Sequence, residues 1–311
     1  MRHSGRVVTA RVPDVGRIGL WTGALGLVPA ALAREALPEI EELGYRAVWF
    51  PEGVDTKESF SQAAMLLAWS ERIVIATGIA GVLARDAVAM ANAARGLDEA
   101  YPGRLLVGIG TNNVQTAKAR GHEFGRPLAG LSAYLDAMDA APYAGPRLEV
   151  DPPRVLAALG PRMLALAAER AAGAHTSVMP PDHTSGAREI LGDGPLLAVK
   201  VAVVLETDRA KAHAIGHQHL AFYLERKPYR DTFLRLGFSE ADLAGDGSDR
   251  LVDAVVAWGT VETVMERIDE HFEAGADHVC VHPLGGHAAS LGLGDLRELA
   301  PALAELAGKR G

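Results

Sequence analysis

Short apolar runs alternate with segments of helical hydrophobic spacing along almost the whole chain. The first run, "RIGLWTG" (17–23), precedes "ALAREALPEIEELG" (31–44). There Leu32, Ala36, Leu37, Ile40 and Leu43 recur every three or four positions and Gly44 closes the helix. The pattern predicts further strands at 45–53, 72–81, 105–110, 154–160, 174–179, 196–206 and 277–284. Helices are expected at 59–71, 86–103, 161–173, 181–192 and 293–307, and residues 207–274 read as mostly helical. Continuous apolar strands separated by helices are parallel strands buried on both faces. Eight of them in a chain of this length predict an α/β fold, a closed (β/α)8 TIM barrel. An open dinucleotide-binding sheet would need G-x-G-x-x-G after its first strand. Here Gly108-Ile109-Gly110 follows the fourth strand and the last glycine position holds Asn113. Residues 111–152 and 207–250 break the rhythm. They are expected as insertions after strands four and seven, forming a lid and a wall at the catalytic face. Residues 16–311 then make one domain behind a loose arm, 1–15.

Composition narrows the function classes. The chain has 311 residues, 49% hydrophobic and 23% charged, which is ordinary for a globular protein. A net charge of −8 without a basic run offers no nucleic-acid surface. No apolar stretch is long enough to span a bilayer, and the first residues lack the apolar core of a signal peptide. The single cysteine, Cys280, excludes an internal disulfide and fits a reducing cytoplasm. It reads as a small buried hydrophobe on strand eight.

In a barrel of this kind chemistry gathers at the carboxyl ends of the strands. Those ends read Trp21-Thr22-Gly23, Pro51-Glu52-Gly53, Thr77 to Gly81, Gly108 to Asn112, Gly160-Pro161, Val178-Met179-Pro180, Glu206 and Val281-His282-Pro283. Glycine recurs and charge is sparse. No strand end carries a lysine for a Schiff base, a metal-binding cluster or a nucleophile elbow. Such a mouth suits a large flat ligand lying against backbone, with a cofactor carrying the difficult chemistry. Gly160-Pro161-Arg162 has the form of a capped helix start, which is either a plain cap or a phosphate site. Glu52 reads as a general acid or base, or as a structural cap. His282 reads as a proton donor lining the pocket or as a satisfied inward histidine. Trp21 is a pocket wall or a core aromatic, and His122 a lid residue or a solvated loop histidine. His213 and His217 stand i,i+4 on a helix; without a third ligand nearby in sequence they read as an exposed face, and no metal is expected.

The segments "GRIGLWTGAL", "LGYRAVWFPEG", "RIVIATGIAGVLARD", "EAYPGRLLVGIG", "RVLAALGPRMLALAAERAAGAH" and "EAGADHVCVHPL" resemble the bacterial luciferase-like family. They are most similar to its actinobacterial branch that uses coenzyme F420, a deazaflavin. The resemblance spans about residues 16–308. It implies an F420-dependent oxidoreductase moving a hydride to or from a small organic substrate. An FMN-dependent monooxygenase and a cofactor-binding barrel without turnover are the alternatives. It also implies a homodimer. In that family the end of strand three often carries a non-prolyl cis peptide behind the ring, which maps to Thr77, Gly78, Ile79 and Ala80. Gly108, Gly110, Thr111 and Asn112 would lie along the ring. Gly160, Pro161, Arg162 and Met163, with Val178 at the end of strand six, would hold the phosphate. Glu52 and His282 are the catalytic candidates, and Trp21 and His122 the substrate-pocket candidates. Sugar-phosphate dehydrogenases of the family carry Asp-His after strand two, an acid beyond strand four and a lysine after strand six. Here Glu52-Gly53, Asn112-Asn113 and "MPPDHTS" stand instead, which argues against that activity.

Overall fold

The computed structural model describes residues 12–285 and 291–308. Its strands are β1 (Ile18–Trp21), β2 (Ala47–Phe50), β3 (Val74–Thr77), β4 (Ala80–Gly81), β5 (Leu105–Gly110), β6 (Arg154–Ala157), β7 (Gly173–Ser177), β8 (Leu196–Val204), β9 (Val256–Trp258) and β10 (His278–Pro283). All pairings are parallel, in the order β10-β1-β2-β3-β5-β6-β7-β8, and β10 pairs with β8 to close the ring. The result is the eight-stranded TIM barrel that the alternation predicts. β4 continues β3 beyond a bulge and pairs with the end of β5. β9 was not anticipated. β10 occupies one edge of β8 as far as Val203, so β9 joins the other edge, beyond the point where β7 ends opposite Lys200.

Strand residues alternate between two environments. Leu20, Val48, Phe50, Ile75, Val107, Val199 and Val279 face the surrounding helices. Ala47, Trp49, Val74, Ala76, Leu106, Val155, Ala198 and Cys280 fill the interior. Cys280 is a buried free thiol, as read from its apolar strand. Residues 1–11 of the expected loose arm lie outside the described residues. Residues 12–15 are not loose: Val12 and Val15 pack against the interior cluster, and Asp14 pairs with Arg46 at 2.9 Å.

The two stretches expected to be insertions part ways. After β5, the helix Pro127–Asp139 buries Leu131, Leu135 and Met138 in the main core, between the helices Ala87–Ala100 and Pro161–Arg170. It is therefore the crossover helix of the barrel, and a lid over all of 111–152 is ruled out. After β8 the crossover helix is Val261–Glu273, packed on β8 and β10. Residues 205–260, added between β8 and that helix, hold the helices Arg209–Leu224, Lys227–Arg235 and Asp249–Val255 with β9. This addition builds its own core from Leu220, Tyr223, Phe233, Leu251 and Val252, seated on Val178 and Val204.

Candidate active site

At the end of β3 the chain turns through a cis peptide between Gly78 and Ile79, where the family resemblance locates one. Gly78 and Ile79 are half-buried, between fully buried Thr77 and Ala80. Neighbouring backbone holds the bulge: Gly78 N donates to Phe50 O at 2.6 Å, and Glu52 N to Ile79 O at 3.1 Å. The Glu52 carboxylate is also engaged. It accepts from Gly81 N at 2.8 Å and Ser59 N at 3.3 Å, and it pairs with both Arg85 nitrogens. Arg85 in turn binds Glu58 at 2.6 Å. With its side chain 2% exposed, Glu52 ties β2 to the bulge and has no oxygen turned to the mouth. Of its two readings, the geometry matches the structural one.

The glycines of β5 also serve the bulge. A Cβ on Gly108 would lie 2.0 Å from Thr77 O, and one on Gly110 would lie 2.8 Å from Ile79. The space beside β5 is thus filled by the bulge, and Gly108 and Gly110, expected along the ring, permit the close approach of Thr77 and Ile79. Thr111 and Asn112 are half-buried at the mouth. Asn112 has φ 59°, and its Oδ1 is buried without a partner among the described residues. Asn113 caps the helix Val114–Ala119. His122 follows that helix on the exposed surface, away from the pocket described below.

Gly160 is the N-cap of the helix Pro161–Arg170, with Pro161 in its first turn. Arg162 is exposed and Met163 half-buried. Arg235, from the added segment, comes close: its Nη2 lies 3.6 Å from where a Cβ on Gly160 would stand. The sequence reading missed this cation because it is 75 positions away along the chain and only the fold of the addition brings it near. Val178 has φ 57° and is fully buried, so its side chain belongs to the second core.

The most unusual chemistry lies between β1, β8, β10 and the helix Arg209–Leu224. Lys200, in the middle of β8, is 1% exposed. Its Nζ donates to Tyr223 Oη at 2.7 Å and stands 3.7 Å above the Trp21 ring. No carboxylate pairs with it among the described residues. Burial lowers its pKa to about 7. Trp21 Nε1 donates to Gly78 O at 3.2 Å, so the indole joins this cluster to the bulge. His282 packs edge-on to Trp21 at 4.6 Å and lies 5.3 Å from His219. His282 Nδ1 and His219 Nε2 have no partner among the described residues. Burial, aided by the Lys200 charge, pushes His219 down to about 3 and His282 well below its ordinary value, so both are neutral near pH 7. Trp21, His219, Tyr223 and His282 line a cavity of about 470 Å³, completed by Phe222 and Leu284 among others. A larger groove of about 880 Å³ between the helices Pro127–Asp139 and Pro161–Arg170 holds Arg126, Arg162 and Glu169, but no histidine or tyrosine.

Beneath this cluster the interior stays polar. His175 stacks on Trp49 at 4.7 Å, and Trp49 Nε1 donates to His278 Nε2 at 3.0 Å. His278 Nδ1 lies 2.8 Å from Gly16 O, an acceptor, so Nδ1 carries the hydrogen. Lys200, His175 and His278 were not singled out from the sequence. They lie within apolar-looking strands rather than at strand ends.

A barrel with a glycine bulge, a capped helix start and buried proton-carrying groups at one mouth is the frame of an enzyme. The chain belongs to the luciferase-like monooxygenase family, whose model matches residues 15–278. Rv3520c of Mycobacterium tuberculosis, provisionally named a coenzyme F420-dependent oxidoreductase, is 26% identical, over 85% of this chain and 94% of its own. The 5,10-methylenetetrahydromethanopterin reductase of Methanolobus tindarius is 24% identical, over 79% and 88%. Among solved structures, an F420-dependent secondary alcohol dehydrogenase with an F420-acetone adduct is similar at TM-score 0.69 and 16% identity, covering 93% of this chain and 99% of that one. The oxygenating constituent of 3,6-diketocamphane monooxygenase from Pseudomonas putida, in complex with FMN, is similar at TM-score 0.71 and 15% identity, covering 94% and 98%.

Proposed function

We propose that this protein is an F420-dependent oxidoreductase that exchanges a hydride with a small organic substrate held beside Trp21. The observation that carries the reading is the Lys200–Tyr223 pair at the cavity, a cation without a carboxylate joined to a phenol that lines the pocket. The mouth suits a flat ring with a phosphate-bearing tail. Half-exposed Gly78, Ile79, Thr111, Asn112, Ala157, Leu159 and Gly160 follow one another along the strand ends toward Arg235. The Asn112 side chain, its Oδ1 buried against Gly81, backs the mouth there. The bulge and Thr111–Asn112 would hold the ring. Gly160–Met163 with Arg235 would hold the phosphate.

When bound, the deazaflavin supplies or accepts the hydride. The chain handles the proton. In the reductive direction Tyr223 Oη gives its hydrogen to a substrate oxygen or nitrogen, and Lys200 Nζ restores it. A pKa of about 7 lets that amine give and regain a proton near neutrality. The neutral His219 and His282 orient the substrate by hydrogen bonds and leave the charge to Lys200. Glu52 positions the bulge.

Equilibrium binding of F420 and FMN, followed side by side by fluorescence, tests the cofactor. F420 is expected to bind in preference, and Arg235→Ala to weaken it. A preference for FMN moves the protein to the oxygen-using branch, and binding of neither overturns the reading.

A further inference from the structure

The helix Arg209–Leu224 has two working faces. Ile215, His219 and Phe222 line the mouth cavity. His213 and His217, about 180° around the helix, meet the helix Asp249–Val255. There His213 Nε2 lies 2.8 Å from Asp253 Oδ1, which also accepts from Trp258 Nε1 at 2.9 Å. His217 Nδ1 lies 3.3 Å from the Asp246 carbonyl. A carboxylate and a carbonyl can only accept, so the imidazole hydrogens belong on those two nitrogens. The remaining nitrogens both turn to one atom. His213 Nδ1 is 3.2 Å, and His217 Nε2 3.0 Å, from Asp249 Oδ1. With the hydrogens so placed, three lone-pair atoms converge, an arrangement satisfied by a shared cation or by a second proton on an imidazole.

We propose that His213 Nδ1, His217 Nε2 and Asp249 bind a divalent transition-metal ion of the zinc type. The three ligand atoms lie within 4.8 Å of one another. Ligands about 2.0–2.1 Å from a tetrahedral zinc stand roughly 3.3 Å apart, close to the two nitrogen–oxygen distances of 3.2 and 3.0 Å. Two imidazoles and one carboxylate suit zinc rather than magnesium or calcium. The outer support is that of a metal site: Asp253 receives the far N–H of His213, and the Asp246 carbonyl that of His217. Trp258 orients Asp253. Arg209 Nη2 lies 3.6 Å from Asp249 Oδ2 and 3.4 Å from Asp253 Oδ2, so it engages the carboxylate oxygens that face away from the two histidines. The Asp249 side chain is 61% exposed, leaving a fourth position open to water. His213 is buried, so one ligand is fixed by the core. Such an ion would clamp the helices of the addition together and stiffen the cavity wall on the opposite face. The site stands apart from the proposed reaction.

The test is titration of the tag-free, chelator-treated chain with Co(II) and then Zn(II). One Co(II) per chain is expected, with the visible bands of a tetrahedral site, displaced by Zn(II) and accompanied by a rise in melting temperature. Asp249→Asn and His217→Gln alter partly exposed residues and should fold normally by circular dichroism. Each should weaken Co(II) binding by at least about 100-fold, and Asp253→Asn by about 10–100-fold. A folded chain that takes up neither metal, holding a proton there instead, overturns the proposal. So does Co(II) binding that both ligand variants leave unchanged.

Discussion

Glu52 and Lys200 are both buried ionisable groups near the barrel mouth, and the fold treats them in opposite ways. Glu52 has every oxygen engaged, by Arg85 and two backbone N–H groups. Lys200 has a phenol, an aromatic face and no counter-charge among the described residues. A buried charge with full partners is a structural tie, whereas a buried charge without them raises the folded-state energy and stays ready to lose its proton. The comparison separates what holds the bulge from what can react beside it, although the sequence makes Glu52 the more conspicuous candidate.

The largest effect should come from breaking the bulge. Gly108→Ala pushes a methyl against Thr77 O, where only backbone can move, and should cost about 4 kcal/mol or prevent folding; denaturant unfolding measures this. Glu52→Ala leaves Arg85 buried without its main partner and should cost about 3–5 kcal/mol. If Glu52→Gln keeps its stability yet abolishes turnover, the structural assignment of Glu52 fails.

Lys200→Met should move stability and activity in opposite directions. Removing an uncompensated buried cation should stabilise the fold by about 1–3 kcal/mol, while steady-state turnover falls by about 10²–10³-fold. Loss of both together would make Lys200 a structural residue.

The pH dependence sharpens the same contrast. The folded Lys200 pKa of about 7 lies below its ordinary 10.5. Between those values the unfolded chain binds the additional proton, so stability should rise with pH from about 7 toward 10.5 and be lowest below 7. Thermal melts of wild type and Lys200→Met across that range should differ by this slope. Reductive turnover, which needs the protonated amine, should decline above about pH 7. The smallest effect belongs to Arg235→Ala, about a tenfold loss of F420 affinity with little change in stability, read by fluorescence titration.

The barrel was legible because its strands are buried on both faces and read as apolar runs, with the helices between them periodic. The bulge position and Gly160–Pro161 were legible because backbone demands select glycine and proline locally. Lys200 escaped because one lysine within "LLAVKVAVVLE" does not disturb an apolar pattern, and whether it faces helices or interior depends on strand register. Arg235 escaped because its neighbour Gly160 belongs to a different element. The partners of His213 and His217 lie on another helix, so H-x3-H looked incomplete. The 111–152 stretch misled because glycine and proline interrupt it on both sides of a real crossover helix.

The sequence by itself determined the alternation of strands and helices, the parallel barrel, the glycine-bearing strand ends and the family likeness. These depend on spacing along the chain and on backbone conformations that few residues adopt. Only the tertiary structure decided that the β5 glycines accommodate Thr77 and Ile79, that Glu52 is fully partnered, and that Lys200 meets Tyr223 and Trp21. Burial and pairing are properties of neighbours in space, and in a closed barrel those neighbours come from opposite ends of the chain.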